Sequence, residues 1–219
     1  MILCMLLKNA IKMQTYRERC LTCRKPKVTC FCHLIKPFVS DPEFVILIHP
    51  KELKIRVNSG RMAHLCLKNS YLIDGICFDD NKKVLSIIKD PLNDCYLLHP
   101  GHGALPYCGV KKKASRGRKT VFFVLDATWH LARKMYKQSE ILKTLTKIEI
   151  SPQNPSRFII KKQPEKGYVS TIEAIYLLLE ESYASLEDRP HQNLMEVFDY
   201  MVNQQVEWAS TGRVRKPLR

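Results

Sequence analysis

Apolar residues along the chain gather into three unbroken runs, Phe44–His49 (FVILIH), Cys95–His99 (CYLLH) and Val121–Leu125 (VFFVL). Runs this short and this apolar suit strands covered on both faces, and Pro50 ends the first. Between them apolar spacing predicts helices over Gly60–Leu67 and Lys82–Lys89, with a third at Leu131–Leu145. Leu194, Val197, Phe198 and Met201 recur at helical spacing and predict an amphipathic terminal helix. Strands alternating with helices predict an α/β fold, a mainly parallel sheet with flanking helices joined by crossovers. Met1–Gln14 shows no clear pattern, and Cys20–His33 is too polar and basic to order itself by burial. The expected division is an N-terminal segment, 1–38, and an α/β domain, 39–219.

Ligands of such sheets sit beyond the carboxyl ends of the strands, so the residues after each run are where chemistry is expected. One run ends in His49-Pro50, another in Leu97-Leu98-His99-Pro100-Gly101, and the third in Leu125-Asp126-Ala127-Thr128-Trp129. The last places a carboxylate, a hydroxyl and an aromatic plate together. They suit handling of a ligand and a proton, or equally a helix cap by Asp126 or Thr128 with Trp129 packed in the core. Ser170-Thr171-Ile172-Glu173 has capping-box spacing, and the same helix start suits a ligand carboxylate. His49 and His99 fit pocket walls as readily as catalysts. Asn58-Ser59-Gly60-Arg61 opens a helix with turn-forming residues, its glycine either shaping the turn or admitting a ligand to the backbone.

Nine cysteines in a chain of 219 residues do not read as a disulfide framework, because the number is odd and four fall within thirteen residues. Cys20, Cys23, Cys30 and Cys32 supply enough thiolates to close a tetrahedral structural Zn²⁺ site, with free thiols or an iron–sulfur cluster as alternatives. Cys4, Cys66, Cys77, Cys95 and Cys108 are scattered, as apolar fillers are. The 36 basic and 21 acidic residues leave a charge of +15, clustered in Lys111–Lys119, in Arg213–Arg219 and around the cysteines. A nucleic-acid partner fits that clustering. No apolar run reaches the roughly 20 residues of a membrane span, and Met1–Leu7 lacks the basic start of a secretory signal, so a cytoplasmic protein without a membrane partner is expected.

Six blocks, CLTCRKPKVTCFC, ILIHPKE, NSGRMAHL, LLHPG, LDATWHLARKMYKQS and FIIKKQPEKGYVSTIEA, together resemble the DTW-domain family of tRNA-uridine aminocarboxypropyltransferases. The likeness runs from about Cys20 to Glu180, with Ser59 and Gly167–Val169 departing from the usual pattern. It implies a SPOUT-like trefoil knot, S-adenosylmethionine as donor substrate and a tRNA uridine as acceptor. Asp126, Thr128 and Trp129 then take catalytic places, and Leu97, His99, Pro100, Gly101, Leu125, Ser170, Thr171 and Glu173 the cofactor side. Uridine N3 is a poor nucleophile while protonated, which makes Asp126 the candidate base. Trp129 is expected to stack on a base, and Thr128 to hydrogen-bond the ligand. Arg24, Lys25, Lys111, Lys112, Lys113, Arg116, Arg118, Arg213 and Arg215 are the expected RNA contacts. A SPOUT-type RNA methyltransferase and a non-catalytic zinc-ribbon RNA-binding protein are the alternatives. A monomer is expected, a homodimer being the other case.

Overall fold

Six strands form one sheet in the order β2-β1-β5-β3-β6-β4, and every pairing in it is parallel. They are β1 (Glu43–Ile48), β2 (Tyr71–Asp74), β3 (Asn93–Leu98), β4 (Leu105–Pro106), β5 (Lys119–Asp126) and β6 (Thr146–Glu149). The computed structural model describes residues 18–55, 57–107, 117–160 and 168–210. The expectations for Met1–Gln14, Lys111, Lys112, Lys113, Arg116, Arg213 and Arg215 lie outside the described residues, as do Cys4 and Cys108. Among the described residues no helix is long and apolar enough to cross a membrane.

Both faces of the sheet are covered, which is why its central strands read as unbroken apolar runs. Phe44, Ile46, Phe122 and Val124 face one core, shared with α1 (Ser59–Cys66), α5 (Thr171–Ser182) and α6 (Gln192–Ser210). Val45, Leu47, Leu97, Val121 and Phe123 face the other, shared with α2 (Lys82–Lys89), α3 (Trp129–Gln138) and α4 (Glu140–Lys143). Phe122 and Phe123, adjacent in sequence, are fully buried on opposite sides. Truncating either to alanine is expected to cost about 3–5 kcal/mol.

The helix expected over Leu131–Leu145 is two helices. Ser139 is fully buried, accepting from the Phe78 amide at 3.2 Å and donating to the Met135 carbonyl at 2.9 Å. Asp79 then accepts from the amides of Glu140 and Ile141 at 3.1 and 2.8 Å, capping α4 as a new helix. Strands β2, β4 and β6 carry no apolar run, since β2 and β4 are edges and β6 spans four residues of which only Ile148 is buried.

The N-terminal segment shares the first core. Cys23 and Phe31 are buried in it, and Asn193 of α6 clasps the connection, accepting from the Lys36 amide at 2.8 Å and donating to the Leu34 carbonyl at 2.9 Å. In sequence order β5 enters the sheet between β1 and β3, and β6 between β3 and β4. Such insertions leave crevices at the carboxyl ends of the strands.

Candidate active site

A cavity of about 640 Å³ opens at those carboxyl ends. Asn58 and Ser59 line it from the start of α1, Leu98–Pro100 from the end of β3, Leu125–Trp129 from the end of β5, and Ser170 and Thr171 from the start of α5. Ile150–Pro152, Phe158 and Tyr168 complete the wall from the stretch after β6.

Asp126 holds the floor together. Its side chain is buried, and each carboxylate oxygen accepts a hydrogen bond, Oδ1 from Thr171 Oγ1 at 2.6 Å and Oδ2 from Asn58 Nδ2 at 2.9 Å. Asn58 faces two ways, because its Oδ1 accepts from the Arg61 amide at 2.6 Å and so caps α1. Gly60 is required by this packing: a Cβ there would stand 2.5 Å from Asp126 Oδ2. Asp126 therefore ties the end of β5 to the first turns of α1 and α5. Neither bland alternative for Asp126 and Thr128 is found, since no side chain caps α3 and the Thr128 side chain is exposed at the cavity.

Trp129 is half-buried and meets Tyr168 edge to face at 4.2 Å, giving the cavity an aromatic side. His99 stacks on Tyr136 at 4.7 Å, and its Nδ1 lies 3.0 Å from the Pro100 carbonyl oxygen, which only accepts, so Nδ1 carries the proton. Burial holds this imidazole below its ordinary pKa, and among the described residues its buried Nε2 has no hydrogen-bond partner. His49 is buried at the end of β1, where Nδ1 accepts from the Lys51 amide at 3.1 Å, and burial lowers its pKa too.

Leu97 is buried in the opposite core, and its neighbour Leu98 reaches the cavity instead, as strand alternation requires. Gly101 and Glu173 are not among the lining residues. Glu173 closes the expected capping box with Ser170 and also accepts from Ser156 Oγ at 2.8 Å and from the Arg157 amide at 2.7 Å. It thereby pins the Ser156–Phe158 wall to α5. Asn58 and Tyr168 belong to the site without having been singled out as ligand contacts. Asn58 reads locally as a turn residue, and nothing local shows its bond to a residue 68 positions away.

The four clustered cysteines converge on one point. Their sulfurs all lie within 4.8 Å of one another, with Cys20–Cys32 and Cys23–Cys30 separations of 3.7 Å. Tetrahedral zinc with Zn–S bonds of about 2.3 Å has edges of about 3.8 Å, so the donor set fits that ion, and 3.7 Å is far too long for disulfides. The Cys23 amide lowers the Cys20 thiol to about 6. Burial pushes Cys23 and Cys32 upward. Arg24, at the knuckle tip, has φ of 60°, where its amide bonds the Cys20 carbonyl at 2.9 Å. Lys25 is buried beside it. Arg118 stands at the opposite, amino-terminal edge of the sheet, 3.1 Å from Asp94 and bonded to the Asn93 carbonyl at 2.7 Å.

Comparison with known proteins covers nearly this whole assembly. One relative, 29% identical over 181 residues, spanning 80% of this chain and 68% of its own length, is a Drosophila melanogaster protein named tRNA-uridine aminocarboxypropyltransferase 2. Another, from Arabidopsis thaliana, is 23% identical over 73% of this chain and 70% of its own length, and is named tRNA-uridine aminocarboxypropyltransferase A. No solved structure matches significantly. Residues 17–206 match the DTW domain, from the cysteine knuckle through the cavity to α6, and the chain belongs to the DTW-domain family.

Proposed function

We propose that this chain transfers the 3-amino-3-carboxypropyl group of S-adenosylmethionine to N3 of a tRNA uridine, releasing 5′-methylthioadenosine. One observation carries the reading: the separate blocks around Asn58, Leu98–Pro100, Leu125–Trp129 and Ser170–Thr171, those that carry the family likeness, converge on a single cavity. The names of the two relatives supply the reaction.

The donor's sulfonium activates three carbons, so orientation decides which is attacked. The start of α5 borders the cavity at Ser170 and Thr171, and the first-turn amides that the capping box does not satisfy suit the carboxylate of the aminocarboxypropyl arm. Trp129 and Tyr168 offer a wall against which adenine or the target base packs, and Thr128 offers an exposed hydroxyl beside it. Asp126 takes the N3 proton as the bond to carbon forms, with Asn58 and Thr171 fixing its plane. The two bonds to Asp126 and its burial against Gly60 favour a second reading, in which it acts only by tying α1 and α5 to β5.

Cys20, Cys23, Cys30 and Cys32 would hold a structural zinc, which supplies no chemistry to the transfer and orders the knuckle against α1 and α6. The trefoil arrangement that the family resemblance implies is part of the same reading.

Nucleoside mass analysis of unmodified tRNA incubated with the protein and S-adenosylmethionine tests the proposal. A uridine heavier by the whole aminocarboxypropyl group, with release of 5′-methylthioadenosine, is expected. A methyl gain with S-adenosylhomocysteine would make the chain a methyltransferase, and RNA binding without either product would make it a passive binder.

A further inference from the structure

A second, smaller cavity of about 150 Å³ lies between the cysteine knuckle and the first turn of α1. Arg19, Arg24, Lys25, Lys54 and Arg61 line it, and no acidic residue does. Its apolar part includes Leu53 and Ile55 together with Cys23, Phe31 and Met62, which belong to the shared packing of knuckle and domain. Folding thus gathers five cations from three chain segments at one concavity, against their mutual repulsion. Arg19, Arg24, Lys54 and Arg61 form no ion pair with a carboxylate among the described residues.

We propose that this pocket is a phosphodiester-binding subsite, which seats the RNA backbone beside the Asp126 cavity. The inference rests on the tRNA reading above and adds to it a place and a set of residues. Size favours a single ionic group, since the space is below the roughly 300 Å³ of small-molecule sites. Position favours the acceptor strand. Asn58 lines both cavities, so an anion held here is one side chain away from the floor on which Asp126 sits. Arg61 links them in space, since it lines this pocket and directly follows Gly60, which packs against the Asp126 carboxylate. A phosphate accepts several guanidinium bonds at once and would relieve the repulsion between Arg24 and Arg61. The knuckle then aims Arg19 and Arg24 at the backbone of a strand whose base enters the larger cavity.

Arg19, Arg24 and Lys54 are exposed, so Arg19→Gln, Arg24→Gln and Lys54→Gln leave the core untouched. Binding of unmodified tRNA to the zinc-loaded full chain, followed across salt concentrations, is compared between wild type, the triple variant and Arg24→Gln alone. Melting temperature and zinc content report folding, and S-adenosylmethionine titration reports the donor site. The expected result is a salt slope shallower by about 0.7–0.9 per lost phosphate contact and tRNA affinity weaker by roughly tenfold or more in the triple variant, with donor affinity unchanged. Arg24→Gln keeps the question answerable should the triple variant melt early. Unchanged tRNA affinity and slope would overturn the subsite. So would a loss confined to the donor, which would make the pocket a carboxylate site for the amino-acid arm. Nucleoside masses from the wild-type reaction separate the two levels: transfer with no pocket effect overturns only the subsite, and a pocket effect with no transfer overturns only the aminocarboxypropyl reading.

Discussion

Thr171 Oγ1 donates to Asp126 Oδ1 at 2.6 Å, joining the start of α5 to the end of β5 across 45 positions of sequence. The bond decides how Asp126 can be tested. Asp126→Asn keeps the shape and removes the basicity, but its amide nitrogen cannot accept from either Thr171 or Asn58. The variant is expected to lose about 1–3 kcal/mol of stability. It should also lose roughly 10²–10⁴-fold in single-turnover rate if Asp126 takes the N3 proton. Thr171→Val separates the roles, since it breaks the tie and leaves the carboxylate. If Asp126 only positions, Asp126→Asn and Thr171→Val slow the folded enzyme alike, and rates measured beside thermal melts will show it.

Gly60 lies in the first turn of α1, where alanine would ordinarily favour a helix by about 1 kcal/mol. Here the new methyl would meet Asp126 Oδ2 at 2.5 Å. Gly60→Ala is expected to lower the melting temperature and to cut turnover at least tenfold, by pushing the carboxylate off the geometry set by Asn58. A stabilised variant with full activity would mean that the floor yields freely.

One zinc per chain is expected by elemental analysis of protein purified without added metal. Because Cys23 and Phe31 are buried in the core built on α1, α5 and α6, Cys30→Ser should lose the metal and lower the melting temperature of the whole molecule in one transition. A separate early transition would show the knuckle to be an independent unit.

Glu173 accepts from Ser170, Ser156 and the Arg157 amide. Glu173→Ala removes the capping box and releases the Phe158 wall, at an expected cost of about 1–3 kcal/mol. Donor affinity should fall with it, read by titration at a temperature where the variant is folded.

Burial holds the imidazoles of His49, His64 and His99 below their ordinary value of 6.5. As pH falls through that value the unfolded chain takes up protons first, so stability is full above about pH 6.5 and declines toward the lower folded values. Melting temperatures should drop as the pH is lowered through about 6.5. His64, bonded through Nδ1 to Ser70 Oγ at 2.8 Å and not among the residues lining the Asp126 cavity, is the residue to alter. His64→Gln should flatten the drop, and an unaltered profile would assign it to other groups.

Strands β1 and β5 were legible because burial on both faces leaves them runs of five adjacent apolar residues, and β3 because Cys95–Leu98 stay apolar although only Leu97 is fully buried. Strand β6 was not, since four residues with one buried side chain carry no period. The helix break at Ser139 depends on Asp79, some 60 positions earlier, and no local pattern announces it. Within the site the blocks were visible and their internal geometry was not. Leu97 and Leu98 look interchangeable in a motif, yet the pleat sends one to each core. A local cap by Asp126 was one of two equal readings, because caps are local by habit. Its partners are instead side chains brought beside it by the crossovers, which only the folded topology reveals.

The Asp126 tie also sets an order of assembly. A nascent chain emerging from the ribosome presents Asn58 before Asp126, and Thr171 only 45 residues after Asp126. Until α5 has left the exit tunnel the carboxylate lacks half its support and the cavity lacks one side. Chains cut short by stalling or early termination before that point would carry the knuckle and its cations beside an Asp126 floor that lacks its Thr171 support.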